Sequence, residues 1–128
     1  MSNRRTIKEY SYLFAIRVIK LYTYLTEKKK EFVISKQLLR SGTAVGALVR
    51  EAQNAESKPD FIHKLGIAQK ECDESIYWLE LLKDTGFITE KQFSSINTDA
   101  VSLLKMLKSA ILTTKQNHLT KKPITHNP

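Results

Sequence analysis

Apolar residues return every three or four positions through four successive stretches of this chain, and nowhere do they alternate with polar ones as a half-buried strand requires. That periodicity admits only an all-α fold. The first stretch, residues 7–29, aligns Tyr10, Leu13, Phe14, Val18, Leu21, Tyr24 and Leu25. The second, 35–56, aligns Leu38, Val45, Leu48, Val49 and Ala52. The third, 58–85, opens on Ser57, Pro59 and Asp60, a capping residue followed by residues suited to a first turn, and stops at Gly86. Its core face is Phe61, Leu65, Ala68, Cys72, Ile76, Leu79 and Leu82. The fourth, 90–116, begins at Thr89-x-x-Gln92, the spacing of a capping box, and runs through Phe93, Ile96, Ala100, Leu103, Leu104, Leu107 and Ile111. Short connections make consecutive helices antiparallel neighbours, so the expected architecture is an up-down-up-down four-helix bundle. The polar segment 117–128 is expected to be a disordered basic tail.

A chain of 128 residues with 41% apolar content suits one domain with a real core. Its single cysteine, Cys72, excludes an internal disulfide framework and fits a reducing compartment. Arg17 and Lys20 break the N-terminal apolar run before it reaches signal-peptide length, and no stretch approaches a membrane span. A cytoplasmic protein with no membrane partner is expected. The formal charge of +8 gathers at the chain ends. Residues 1–34 hold eight Lys/Arg against three acids and 86–128 six against two, whereas 57–85 are net acidic. In a bundle the first and last helices lie side by side, which would merge the two basic ends into a flank suited to RNA or DNA. The expected contacts are Arg4, Arg5, Lys8, Lys20, Lys105, Lys108 and Lys115, with Lys121 and Lys122 as auxiliaries.

Two helices carry more apolar surface than one bundle core needs. Tyr12, Ile16, Ile19 and Thr23 form a second row on the first helix, and Ile67, Glu71, Glu74, Trp78 and Leu81 one on the third. Such rows mark self-association or the docking of another polypeptide. Arg40, at the end of a small-residue face that runs through Ala44 and Ala47 to Glu51, is a further interface candidate. Arg17 falls on the core side of the first helix, where it should snorkel or meet a carboxylate, Glu71 or Glu74. Gly42 and Gly46 lie mid-helix, where each costs roughly 0.5–1 kcal/mol relative to Ala. Their position along one edge of the core face points to a neighbouring backbone packed closely against them.

No catalytic signature accompanies these features. Asp60-x-x-His63 lacks the second copy that a di-iron bundle requires, and Gly42-Thr-Ala-Val-Gly46 lacks the Lys-Ser/Thr of a phosphate loop. The expectation is a non-enzyme without metal or cofactor.

The run from Gln37 to Ile88, with Gln-Leu-Leu-Arg-Ser-Gly, Arg-Glu-Ala, Ala-Glu-Ser and Tyr-Trp-Leu-Glu-Leu-Leu in that order, resembles the four-helix-bundle proteins named for a reading frame in the intervening sequence of bacterial 23S rRNA. The resemblance implies a ring-like homopentamer with no enzymatic activity and no assigned cellular role. It extends remotely to accessory proteins of diversity-generating retroelements, which implies nucleic acid and a reverse transcriptase as partners. The chain departs from the pattern at Ala44, where Ser is common, and at Leu48, where Asn is. Two functions stay open at this point: an oligomeric bundle that binds nucleic acid, or a protein–protein scaffold.

Overall fold

The computed structural model describes residues 5–125, with side chains as far as Asn117. Each helix begins where the sequence supplies a partner for its free N–H groups. Thr6 caps α1 (Ile7–Glu27) in a capping box: the Glu9 amide donates to Thr6 Oγ1 at 3.1 Å and the Thr6 amide to Glu9 Oε1 at 2.9 Å. This Thr-x-x-Glu spacing, not singled out in the sequence, sets the helix start. Ser57 accepts from the Asp60 amide to open α3 (Lys58–Asp84), and Thr89 and Gln92 exchange bonds to open α4 (Glu90–Thr125). Gly86 takes φ +84°, the left-handed turn that ends α3 at little cost only without a Cβ.

The start of α2 (Ile34–Gln53) is different, because Val33 offers no capping side chain. Glu31 folds back instead, and its carboxylate accepts from the amides of Val33 (3.1 Å), Ile34 (2.8 Å) and Ser35 (2.7 Å). Lys30, at φ 55°, turns the chain so that this is possible.

The helices run up, down, up and down. Among the described residues α1 touches α2 and α4 but not α3, and α2 and α4 do not meet. The core is a single column in which Phe14, Val18, Leu25, Leu38, Val45, Leu65, Leu79, Leu103 and Leu107 are almost wholly enclosed. Leu13, expected in that column, is 38% exposed, since it sits on the flank of α1 toward α4.

Small residues decide how closely the helices approach. Ser41 and Ser75, both fully buried, bond Oγ to Oγ at 2.9 Å across α2 and α3. Across α1 and α2, a Cβ at Gly42 would lie 2.7 Å from Val18 Cγ2, and one at Gly46 would lie 3.4 Å from the Ser11 carbonyl oxygen.

Helix ends agree with the sequence-based limits to within three residues, except at one end. The fourth helix does not stop near Gln116 but continues to Thr125. Low hydrophobicity pointed to disorder there, yet residues 117–122 hold no glycine or proline, and each extends an already nucleated helix by one hydrogen bond. At 36 residues against 21, α4 spans about 54 Å and α1 about 32 Å, so α4 overhangs the bundle.

Candidate nucleic-acid interface

The flank between α1 and α4 is bridged by polar side chains. Arg17 leaves α1 sideways and donates through Nη1 to Asp99 Oδ2 at 2.7 Å and to the Ser95 carbonyl at 3.0 Å, and through Nη2 to Ser95 Oγ at 2.8 Å. The carboxylate it meets is therefore Asp99, not Glu71 or Glu74. Those two lie on α3, which is not a neighbour of α1, and both pair with Arg40 of α2.

Beside this clamp opens a cleft of about 520 Å³, lined by Arg17, Lys20, Leu21 and Tyr24 of α1 and by Lys91, Gln92, Ser95 and Ile96 of α4. Leu21 and Ile96 give it an apolar floor. Lys20 and Lys91 are exposed and form no ion pair among the described residues. With Arg17 neutralised by Asp99, the unbalanced charge of the cleft is that of these two lysines. Lys91 was missing from the expected contacts, because its helical neighbours gave no sign that it shares a cleft with Lys20.

The other expected contacts do not gather here. Lys8 lines a groove of about 280 Å³ between α1 and α2, with Tyr12, Ala15, Thr43, Gly46, Ala47 and Arg50. Lys105 borders a shallow groove beside Ile7, and Arg5 lies near Tyr10 and Asp99. Lys108 and Lys115 are exposed on α4. Arg4 and the side chains of Lys121 and Lys122 lie outside the described residues. The basic residues thus spread over several faces, since a helix turns 100° per residue and consecutive lysines diverge.

The candidate interface residues divide in two. On α1, Tyr12 (53%) and Ile19 (47%) are exposed, Ile16 is half-buried, and the Arg50 guanidinium lies 5.4 Å from the centre of the Tyr12 ring. On α3, the polar members are engaged within the chain. Arg40 donates to Glu71 at 3.2 Å and also to Glu74, and Trp78 Nε1 donates to Glu74 Oε2 at 3.0 Å. The Trp78 bond, with the Arg40 guanidinium, holds the Glu74 carboxyl below its ordinary range, and Glu74 in turn raises Arg40. Trp78, Ile67 and Leu81 are half-buried, and the exposed aromatic ring of α3 is Tyr77, edge-on to Trp78 at 4.9 Å. Lys64 pairs with Glu51 at 3.0 Å, a second clip between α2 and α3.

Neither Cys72 nor His63 has a chemical setting. Burial, aided by Asp73, pushes the Cys72 thiol up to about 12, which leaves it protonated and unreactive at neutral pH. His63 is exposed, and among the described residues no group of three His, Cys, Asp or Glu side chains is placed to hold a metal. No described helix is long and apolar enough to cross a membrane.

The comparisons with known proteins agree with this architecture. The family model described as "23S rRNA-intervening sequence protein" matches residues 4–109. The chain belongs to that family. A 1.70 Å crystal structure of a protein with unknown function, from the S23 ribosomal protein family of Bacteroides thetaiotaomicron, superimposes with a TM-score of 0.82 at 52% identity, covering 83% of this chain and 98% of its own. No curated protein matches the chain. The overhanging part of α4 lies beyond the residues that the family model matches.

Proposed function

We propose that this family member is a non-enzymatic homo-oligomer, a ring of five as the family resemblance implies, that binds nucleic acid through its basic surface. The observation that carries the proposal is the α1–α4 cleft. Two lysines without an ion pair among the described residues, Lys20 and Lys91, line it over an apolar floor, on helices from the two basic ends of the chain. Phosphates neutralised there would release counterions, so affinity falls steeply as salt rises. Self-association draws support from Tyr12 and Ile19, large apolar side chains of one α1 row that are about half exposed, Tyr12 beside the groove at Gly46 and Ala47.

The deciding experiment is the native mass of the purified protein with and without nuclease, followed by titration of a labelled oligonucleotide at several salt concentrations. A five-fold assembly and salt-dependent binding, weakened when Lys20 and Lys91 are both changed to Ala, are expected. No binding at low salt, or binding indifferent to salt, overturns the nucleic-acid role. A Tyr12→Glu, Ile19→Glu variant that folds but remains assembled would exclude the α1 row as the self-interface. It would favour the alternative of a scaffold that docks another polypeptide there.

A further inference from the structure

The connection between α1 and α2 reads Lys28-Lys29-Lys30-Glu31-Phe32-Val33. By formal charge it is a mixed loop, but the fold sorts its charges. Glu31 is buried, its carboxylate turned inward against the three amides that open α2. Burial opposes its ionisation, yet those amide bonds prevail and keep it a carboxylate below the ordinary range. Lys28, Lys29 and Lys30 stay outside, and Lys36 is exposed one turn into α2. Among them stand Phe32, 58% exposed, and Val33, 73% exposed, the two large apolar side chains that the described residues hold furthest into solvent. The tip therefore presents an exposed planar ring on a capped turn whose exposed charges are Lys28, Lys29, Lys30 and Lys36, with Glu27 exposed at the end of α1.

We infer that this tip takes single-stranded nucleic acid: an unpaired base stacks on Phe32 while Lys28, Lys29 and Lys30 neutralise the phosphates on either side. The inference rests on the nucleic-acid role proposed above and assigns it a second site, at the end of the bundle away from the chain termini. An aromatic face beside a cationic track is how strands are held without regard to sequence. A duplex, whose bases are already stacked, offers Phe32 nothing. An anionic membrane is the weaker occupant, because Phe32 and Val33 together present less apolar carbon than a single myristoyl chain, which by itself anchors only marginally.

The test measures binding of labelled oligo(U), oligo(dT) and a blunt-ended two-strand duplex to the intact protein and to tip variants. Phe32→Ala is expected to lower affinity for the single strands about tenfold and to leave the duplex unchanged. Phe32→Trp should restore binding and Phe32→Leu should not, because stacking requires a plane. Changing Lys28, Lys29 and Lys30 together to Ala should reduce the slope of log affinity against log salt by about two. Equal binding by Phe32→Leu and wild type overturns the stacking contact. If Phe32→Ala binds normally while the Lys20, Lys91 variant does not, the tip site is wrong and the cleft stands. If no oligonucleotide binds at all, both fall. Loss of the native assembly in Phe32→Ala, or Phe32-dependent capture by phosphatidylserine vesicles without any effect on oligonucleotides, would show that the tip serves a subunit or a membrane instead.

Discussion

Helix α1 has two flanks, and they are built from opposite materials. Toward α2 it presents Ser11 and Val18 to Gly42 and Gly46, and the backbones close until a single added carbon would strike Val18. Toward α4 it presents Leu13, Arg17, Lys20 and Tyr24, and the helices are bridged by a guanidinium clamp beside an open cleft. Close packing at Gly42 and Ser11 fixes the geometry and leaves only a groove of about 280 Å³ on this flank, whereas the flank toward α4 opens into a cleft of about 520 Å³. In a bundle this small, the tight contact and the proposed binding cleft fall on different sides of one helix.

The largest test of that contrast is Gly46→Leu. Its side chain would be driven into the α1 backbone at Ser11, and we expect a loss of about 3 kcal/mol in denaturant unfolding, the upper range of overpacking. A Gly46→Leu variant with unchanged stability would mean that the tight flank is not tight. Next comes Glu31→Gln, at the tip of the same flank, which weakens a carboxylate that caps three amides and should cost about 1–2 kcal/mol at neutral pH.

Because its folded pKa is depressed, Glu31 contributes stability that is complete above the ordinary carboxylate value and lost as the pH falls through the folded value. The variant's melting temperature should therefore fall less steeply with acidification than that of the wild type. Glu9 and Glu74, also depressed, act in the same direction in both proteins.

Gly42→Ala and Gly46→Ala make a matched pair. Helix propensity favours both by roughly 0.5–1 kcal/mol. At Gly42 the new Cβ meets the stiff, fully buried Val18, so the net change should be a loss of about 1 kcal/mol, relieved by Val18→Ala in the same chain. At Gly46 the Cβ has ordinary contact distance, so Gly46→Ala should be neutral or slightly stabilising.

The smallest effect is expected on the open flank. Arg17→Gln breaks a pair whose side chains are 40% and 33% exposed, and it should cost no more than about 0.5–1 kcal/mol. A loss as large as that of Gly46→Leu would show the clamp to be structural and remove the distinction between the two flanks.

Much of the fold was legible one helix at a time. Periodicity marked the four helices and most of the buried column, and Ser57, Thr89 and Gly86 carry local signals that act where they stand. Thr6 and Glu9 carried the same kind of signal. The end of α4 was less legible, since composition argues about burial and a helix that extends past its bundle is held by local hydrogen bonding alone. Partners across helices were the least legible. Arg17 had carboxylates on two other helices to choose from, and only the diagonal arrangement of α1 and α3 excludes Glu71 and Glu74. Trp78 and Glu74 stand four residues apart on α3, within reach of each other, but nothing in the sequence shows that Arg40 of α2 shares that carboxylate.

The sequence by itself determined the helices, their antiparallel order and the family, because these follow from spacing, caps and short connections. The tertiary structure alone decided which lysines stand together and which carboxylates are consumed. Lys20 and Lys91 are 71 positions apart and share a cleft, while Glu31 sits among lysines in the chain and has left their surface in the fold. Charge is counted along a sequence, but an incoming phosphate meets only what the packing of four helices leaves facing water.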